Sequence, residues 1–321
     1  MTVRATSRSP RSAYLPQIEE TAMNAAEEIA RLKKERNAVI LAHNYTLGEV
    51  QDVADYTGDS LELARRATQV DADVIVFCGV WFMAETAKIL NPEKTVLIPD
   101  PSAGCPMADM ITGIQLSALK AEHPGAKAVC YVNSTADVKA ECDICVTSGN
   151  AEKIMSLFTP DEKILFVPDQ HLGGHVSGLL NREYTLWPGY CPVHAAITAE
   201  AIEAARKLHP GASVMVHPEC CKAVRDAADH LLSTGGMCAF AKESDATEFI
   251  VGTEIGILHR LRQENPEKKF HPVSDKIVCS DMKKSTLENI LECLRDMKHE
   301  VVVPEDVASR AKHAIDAMLA V

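Results

Sequence analysis

The sequence is poor in aromatic residues, has a deficit of basic charge and contains no long hydrophobic run. Aromatics make up 5% of its 321 residues, whereas apolar residues as a whole make up 46%. This balance is typical of aliphatic parallel sheets that lie buried under helices. Asp and Glu outnumber Lys and Arg by 45 to 33, which leaves a net charge of −12. That sign argues against nucleic acid as a partner, because phosphate backbones attract basic surfaces.

No segment approaches the roughly 18 apolar residues of a membrane-spanning helix, and the apolar core of a secretory signal is absent. These absences predict a cytoplasmic protein without a membrane partner. Cysteine, in contrast, is abundant, with 11 residues. In a reducing compartment, cysteines are more often metal ligands or reactive groups than disulfides.

The chain contains a threefold internal repeat. An apolar run that ends in polar, chemically reactive residues occurs at residues 39–45, 128–134 and 214–220. The copies recur about every 85 to 90 residues, which is longer than a solenoid period and therefore indicates repeated domains. Two further apolar runs follow each copy, so each unit is predicted to read strand–helix–strand–helix–strand. We infer an α/β protein of three similar αβα units, each with three layers around a parallel sheet, in a pseudo-threefold arrangement around a central active site.

One cysteine follows the third predicted strand of each unit, namely Cys105, Cys191 and Cys279. Equivalent cysteines of three such units would meet near the common axis. Thiolates favour zinc or iron–sulfur clusters, and three cysteines provide three of the four usual ligands of a [4Fe–4S] cluster. The fourth iron would then be open as a Lewis acid. Zinc held by the three cysteines and a histidine is the alternative, although the wide spacing is unlike that of structural zinc sites.

Polar side chains lie at the predicted carboxyl ends of the strands, where parallel α/β sheets bind their ligands. They are His43, Tyr45, Tyr131, Asn133, His217 and Glu219 from the first strands and Ser148, Ser233 and Thr234 from the second strands. Ser60 is a predicted N-cap and adds a helix start that can bind an anion. One strand-end histidine alone is more often structural, but the matched set in three units indicates a site for a small polyanionic substrate.

Glu219 is the best candidate for a general base or acid, because it is the only carboxylate among these strand-end residues. His217 is its neighbour, and Tyr45 and Tyr131 can transfer protons or hold a hydroxyl group. Proton transfer requires such groups within hydrogen-bonding distance of the reacting atoms. The sequence therefore predicts Glu219, His217, Tyr45 and Tyr131 as the catalytic residues.

Several long motifs occur, in order, at residues 43–45, 49–55, 58–60, 82–86, 131–134, 189–194, 217–220, 233–237 and 252–254, and at Cys279 with 282–284 downstream. Together they resemble the quinolinate synthase family. The resemblance covers roughly residues 37–321. It implies condensation of iminoaspartate (iminosuccinate) with dihydroxyacetone phosphate to quinolinate, phosphate and water in de novo NAD biosynthesis. L-aspartate oxidase or aspartate dehydrogenase is then the expected functional partner.

The resemblance also implies a site and a cofactor. The cofactor is one [4Fe–4S] cluster per chain, held by Cys105, Cys191 and Cys279, with one open iron that acts as a Lewis acid. The iminoaspartate-binding residues are expected to be His43, Ser60, Tyr131, Val132, Asn133, Ser148, His217, Pro218, Glu219 and Thr234. Ser233, from the strand-end set, is added to them.

Two other classes of protein remain open. Another [4Fe–4S] hydro-lyase would turn over a single hydroxy-acid without dihydroxyacetone phosphate. A non-enzymatic iron–sulfur redox sensor would need a domain that binds a partner or nucleic acid, and no basic region is left over for one.

The predicted organisation is an N-terminal tail and helix over residues 1–36, a first unit over 37–110 plus 280–321, a second over 111–195 and a third over 196–279. Two C-terminal helices are expected to pack back on the first unit. Cys142 and Cys145 form a CxxC sequence that we interpret as structural rather than redox-active, since Cys145 lies on a predicted strand and Cys142 at a helix end. Six cysteines are expected to be small buried apolar residues: Cys78, Cys130, Cys220, Cys221, Cys238 and Cys293.

Overall fold

The structure, a computed structural model, describes residues 25–321. The predicted N-terminal tail and the first part of the helix that follows it lie outside these residues. Within the described range, helices alternate with the strands of three parallel sheets, each of four strands. This architecture confirms the α/β fold of three similar units. No helix of the described chain is long and apolar enough to cross a membrane.

The first unit has the strand order β2-β1-β3-β4. Its elements are α1 over 25–35, β1 (Ala38–His43), α2 (Gly48–Val53), β2 (Tyr56–Gly58), α3 (Ser60–Ala67), β3 (Val74–Cys78), α4 (Trp81–Leu90) and β4 (Thr95–Leu97). The central strands β1 and β3 are aliphatic and almost wholly buried, as expected for parallel strands that helices cover on both faces.

The second and third units repeat this order as β6-β5-β7-β8 and β10-β9-β11-β12. The second unit contains α5 (Gly113–Glu122), β5 (Lys127–Tyr131), α6 (Ala136–Lys139), β6 (Ile144–Val146), α7 (Ala151–Met155), β7 (Ile164–Val167), α8 (Gln170–Leu180) and β8 (Thr185–Leu186), followed by α9 (Pro192–Ala195). The third contains α10 (Ala199–Leu208), β9 (Ser213–Val216), α11 (Lys222–Asp226), β10 (His230–Leu231), α12 (Thr234–Glu243), β11 (Glu248–Gly252), α13 (Ile257–Glu264) and β12 (Lys269–Pro272).

Each sheet contains one more strand than the sequence pattern predicts. In the first unit the additional strand is β2, and in the other units it is the last strand, β8 or β12. These strands have three, two and four residues and lie at sheet edges, so no long apolar run marks them. The predicted position of the cysteines is corrected accordingly, because Cys105, Cys191 and Cys279 follow the fourth strand of each unit.

An aspartate ties the first strand of every unit to the edge strand beside it. Its carboxylate accepts a hydrogen bond from a backbone N–H at the start of the first strand. The three aspartates are Asp55, Asp143 and Asp229, each 15 residues after its donor and at 2.7, 2.8 and 2.8 Å from it. This shared contact holds the edge strands β2, β6 and β10 in equivalent places, so Ser60, Ser148 and Thr234, which follow those strands, come to equivalent ends of the three sheets.

The two C-terminal helices pack on different units. Helix α14 (Leu287–Asp296) buries its apolar face against the first sheet, as predicted. Helix α15 (Glu305–Leu319) lies mainly against α6 and β6 of the second unit and also touches α4 of the first. The expectation that both helices pack on the first unit is therefore wrong for α15. Its buried face includes Ala311 and Ala314, and such small residues allow a helix to lie close in the seam between two units.

Candidate active site

A cavity of about 210 Å³ lies where the carboxyl ends of the three sheets meet. Its lining includes twelve of the residues predicted from the sequence: His43, Tyr45, Ser60, Cys105, Tyr131, Asn133, Ser148, Cys191, His217, Glu219, Thr234 and Cys279. Three other candidates, Val132, Pro218 and Ser233, are buried beside the cavity but are not among its lining residues. The fold thus collects side chains from all three units in one place.

Glu219 is the centre of the hydrogen-bond network. Its side chain is nearly inaccessible, with the residue 3% exposed. Tyr131 donates its hydroxyl proton to Oε1 at 2.6 Å, and Nδ1 of His194 donates to Oε2 at 2.7 Å. Burial acts to raise the pKa of Glu219, but the nearby histidines and these hydrogen bonds hold the pKa well below its usual range. The group is therefore a carboxylate at neutral pH, which is the charge state that a general base requires.

His194 extends this network to Tyr45. Nδ1 of His194 donates to the carboxylate of Glu219, and Nε2 on the other side of the ring lies 2.7 Å from Oγ1 of Thr253. Thr253 is in turn hydrogen-bonded to the hydroxyl of Tyr45. His194 was not predicted as a site residue, although it stands three residues after Cys191 in one of the recognised motifs. The resulting chain of donors, from Tyr45 through Thr253 and His194 to Glu219, can relay a proton.

Two further histidines are held as neutral hydrogen-bond donors. Nδ1 of His43 accepts the backbone N–H of Tyr45 at 3.1 Å, and Nδ1 of His217 accepts that of Glu219 at 3.4 Å. The hydrogen of each neutral ring is then on Nε2, which in His217 lies 3.1 Å from the hydroxyl of Ser148. Burial lowers the pKa of His43 to about 3 and that of His217 to about 4. Burial also raises the pKa of both tyrosines, so Tyr45 and Tyr131 stay protonated.

These buried histidines predict a pH-dependent stability. In the unfolded chain they titrate near 6.5, whereas in the folded protein the pKa values of His43 and His217 are about 3 and about 4. Below pH 6.5 the unfolded chain binds protons that the folded protein does not. The free energy of unfolding should therefore fall with decreasing pH, by up to about 1.4 kcal/mol per pH unit for each histidine. Urea unfolding of the metal-free protein from pH 4 to 7 measures this slope.

The matched variants for this test are His43→Asn and His123→Asn. His43→Asn should flatten the slope, whereas His123→Asn, at the half-exposed end of α5, should leave it as in the wild type. An unchanged slope in His43→Asn would show that this histidine does not cause the acid sensitivity.

The three cavity cysteines share one local structure. Each precedes a short helical turn, and the backbone N–H groups two and three positions further on act to lower the pKa of its thiol against the larger effect of burial. The turns lie at Ala108–Met110, Pro192–Ala195 and Asp281–Lys283. Burial raises the pKa of the Cys105 thiol to about 12 and also raises the pKa of Cys191 and Cys279. The amide donors are suited to stabilise the thiolates that form when a metal binds.

The donor set fits a group with three thiolate ligands. One cysteine comes from each unit, and no other cysteine of the described chain is among the lining residues. His194 fits less well as the fourth ligand of a zinc site, because both of its ring nitrogens already hold hydrogen bonds. Cys191, His194 and Glu219 do come close enough together to share one metal ion. That trio, however, uses only one of the three equivalent thiols.

Glu254 holds the Cys279 loop in place, although it was not predicted as a site residue. Its fully buried carboxylate accepts the backbone N–H groups of Cys279 at 3.1 Å and Gly256 at 2.7 Å. It also pairs with Lys283 at 2.9 Å, and Lys283 donates to the backbone carbonyl of Tyr45. One ion pair thus connects the Cys279 loop to the Tyr45 strand end.

The remaining cysteines lie outside the cavity lining. Cys142 and Cys145 are buried thiols of the second unit, and Sγ of Cys145 lies 3.4 Å from that of Cys130. Five of the six cysteines expected to be buried are buried: Cys78, Cys130, Cys220, Cys238 and Cys293. The expectation is wrong for Cys221, which is half-buried because it lies at the solvent-facing start of α11.

The fold and the cavity define a three-unit α/β enzyme whose central site combines acid–base groups with three thiol donors. The family model described as quinolinate synthetase A protein matches residues 27–320. The chain is 56% identical to a quinolinate synthase of Dehalococcoides mccartyi, over 92% of this chain and 98% of that one. It is 54% identical to a quinolinate synthase of Thermus thermophilus, over 92% and 97% of the two chains. The chain belongs to the quinolinate synthase family.

Proposed function

We propose that this enzyme condenses iminoaspartate with dihydroxyacetone phosphate to form quinolinate, phosphate and two molecules of water. The proposal rests on membership of the family and on one observation about the cavity. Within it, the buried carboxylate network around Glu219 lies in the same space as the three thiols. A condensation that removes water needs both proton transfer and polarisation of an oxygen atom. The carboxylate network can supply the proton transfer, and a metal group held by the thiols can supply the polarisation.

The proposed cofactor is one [4Fe–4S] cluster held by Cys105, Cys191 and Cys279. Bound there, it would supply an iron with an open position that acts as a Lewis acid toward a substrate oxygen. The backbone N–H groups beside each sulfur would offset part of the negative charge of the thiolates.

Neutral donors are proposed to bind the two carboxylates of iminoaspartate. Hydroxyls of Ser60, Ser148 and Thr234 follow equivalent edge strands of the three sheets and line the cavity. The Nε2–H group of His43 adds one more donor, and Nε2–H of His217 orients the hydroxyl of Ser148. Among the described residues, the buried Oδ1 atom of Asn133 has no hydrogen-bond partner, so it is suited to accept the N–H of the substrate imine. An acidic substrate can bind here without a cluster of basic side chains.

Glu219 is proposed as the general base, because it is ionised at neutral pH and lies at the centre of the hydrogen-bond network. It would take a proton from the carbon or hydroxyl that reacts, while the hydrogen bond from Nδ1 of His194 holds the carboxylate in place. Tyr45 and Tyr131 keep their protons because their pKa values are raised. They are therefore suited to protonate a departing hydroxide or to hold a substrate hydroxyl.

The experiment is an assay of the protein purified without oxygen. Iron, sulfide and quinolinate are measured after addition of dihydroxyacetone phosphate and of iminoaspartate, which L-aspartate oxidase generates. We expect about four irons and four sulfides per chain. Quinolinate should form only when both substrates are present. Turnover of a hydroxy-acid alone would instead indicate a hydro-lyase. An intact cluster without turnover would favour the redox sensor.

A further inference from the structure

A single carboxylate joins the first and third units at the wall of the cavity. Oδ1 of Asp59 accepts the backbone N–H groups of Leu61 at 3.0 Å and Glu62 at 2.9 Å, which caps α3. Oδ2 accepts the hydroxyl proton of Ser233 at 3.1 Å and the backbone N–H of Gly235 at 3.3 Å, at the N-terminus of α12. The two oxygens of one side chain thus hold helix starts that belong to different units.

The residues directly after the two N-caps, Asp59 and Ser233, carry hydroxyls that are proposed to bind the substrate. Ser60 is the first residue of α3 and not its N-cap, as the sequence had predicted, because Asp59 is the cap. Thr234 is the first residue of α12. Across the same seam, Nδ2 of Asn44 donates to Oγ1 of Thr234 at 2.9 Å, while Oδ1 of Asn44 accepts from Arg260 at 2.9 Å. Since Thr234 already accepts one hydrogen bond, its own proton is left to donate to a ligand.

Gly235 allows Asp59 to approach α12. A Cβ atom at Gly235 would lie 2.7 Å from Oδ2 of Asp59, which is too close for two atoms that are not bonded. One residue further on, a Cβ atom at Gly236 would have Oγ of Ser233 as its nearest neighbour, at 3.4 Å. Both glycines lie in the first turn of the same helix, so an alanine at either position has a similar effect on helix propensity but a different effect on Asp59.

We propose that Asp59 is a positioning residue that clamps the starts of α3 and α12 together, so that Ser60 and Thr234 bind one dicarboxylate substrate. This inference rests on the proposed function, which assigns that substrate. The negative charge of Asp59 is compensated by the two helix N-termini, which carry partial positive charge. Without the carboxylate, the two helix starts lose their shared acceptor and the two hydroxyls lose their common orientation.

Asp59→Ser and Gly235→Ala test the clamp. Serine remains a good N-cap for α3 but is too short to reach α12, and the methyl group of Gly235→Ala displaces Oδ2. Both variants should raise the KM for iminoaspartate about tenfold, which corresponds to about 1.4 kcal/mol, with a smaller change in kcat. The double variant should be no worse than either single one, because both changes break the same contact. Gly236→Ala is the matched control and should keep the wild-type KM.

Amide hydrogen exchange tests, independently of turnover, whether Asp59 holds the two helix starts together. Exchange at the first turn of α12 should be faster in Asp59→Ser and Gly235→Ala than in the wild type and in Gly236→Ala. Three results would each overturn the proposal. They are exchange in Asp59→Ser and Gly235→Ala equal to that of the wild type, additive effects of these two changes on KM, and identical KM values for Gly235→Ala and Gly236→Ala. A wild-type enzyme that forms no quinolinate would refute the proposed function, and the exchange comparison would still determine whether Asp59 holds the two helices.

Discussion

Replacement of Cys105, Cys191 or Cys279 by serine, one at a time, is expected to remove the iron and sulfide from the protein. Quinolinate formation should fall more than about 100-fold, because the loss of a direct ligand has a larger effect than the loss of an outer-shell partner of a metal. Each unit contributes only one of the three thiols, so no neighbouring cysteine of the described lining can replace a lost ligand. Serine is close to cysteine in size, so the helical turn that follows each position should persist.

The control for this series is the double variant Cys142→Ser/Cys145→Ser. Both thiols are buried in the second unit and do not line the cavity, so the iron content should equal that of the wild type. Loss of the cluster in this control would show that the proposed ligand set is wrong. One tightly bound zinc without sulfide in the wild type would leave the fold intact but contradict the iron-based chemistry.

Glu219→Gln is expected to lower kcat by about 10² to 10⁴-fold, the range for loss of a general acid or base, with iron and sulfide unchanged. Glutamine can still accept the hydrogen bond from Tyr131 through its amide oxygen. Its amide nitrogen, however, cannot accept a proton and would face Nδ1 of His194, which now donates to the carboxylate. Turnover, metal content and thermal unfolding are measured on the same preparation.

Glu219→Asp is the matched variant, because it keeps the charge and shortens the side chain by one methylene group. It should retain more activity than Glu219→Gln if the carboxylate acts as the base. Near wild-type turnover in Glu219→Gln with an intact cluster would exclude Glu219 from this role. Equal losses in both variants, with less cluster bound, would indicate that the residue supports the metal site rather than proton transfer.

Much of the fold could be predicted because each unit repeats a local pattern. The apolar runs that became β1, β5 and β9 were recognisable because parallel strands covered on both faces need continuous aliphatic residues. Their polar end residues, such as His43, Tyr131 and His217, could be placed at one edge by the rule for parallel sheets. The short edge strands β2, β8 and β12 were missed because two to four partly exposed residues leave no comparable pattern.

The site was predicted less completely than the fold. His194, Glu254 and Asp59 were not chosen from the sequence, although all three line the cavity. The role of each depends on a partner far away in the chain. His194 lies near the hydroxyl of Tyr45, Glu254 accepts the backbone N–H of Cys279, and Asp59 contacts the start of α12. Local spacing does not show which of many possible carboxylates or imidazoles will meet such partners.

The sequence by itself determined the number of units, the parallel sheets within them and the one cysteine that each unit provides. These features follow from apolar periodicity and from the internal repeat, which act within a single unit. Only the tertiary structure decided how the units face one another, and hence that Tyr131 donates to Glu219, that one Asp59 side chain caps two helices and that α15 packs on the second unit. The physical reason is that contacts between units depend on the relative orientation of whole sheets, which arises from packing over the entire core.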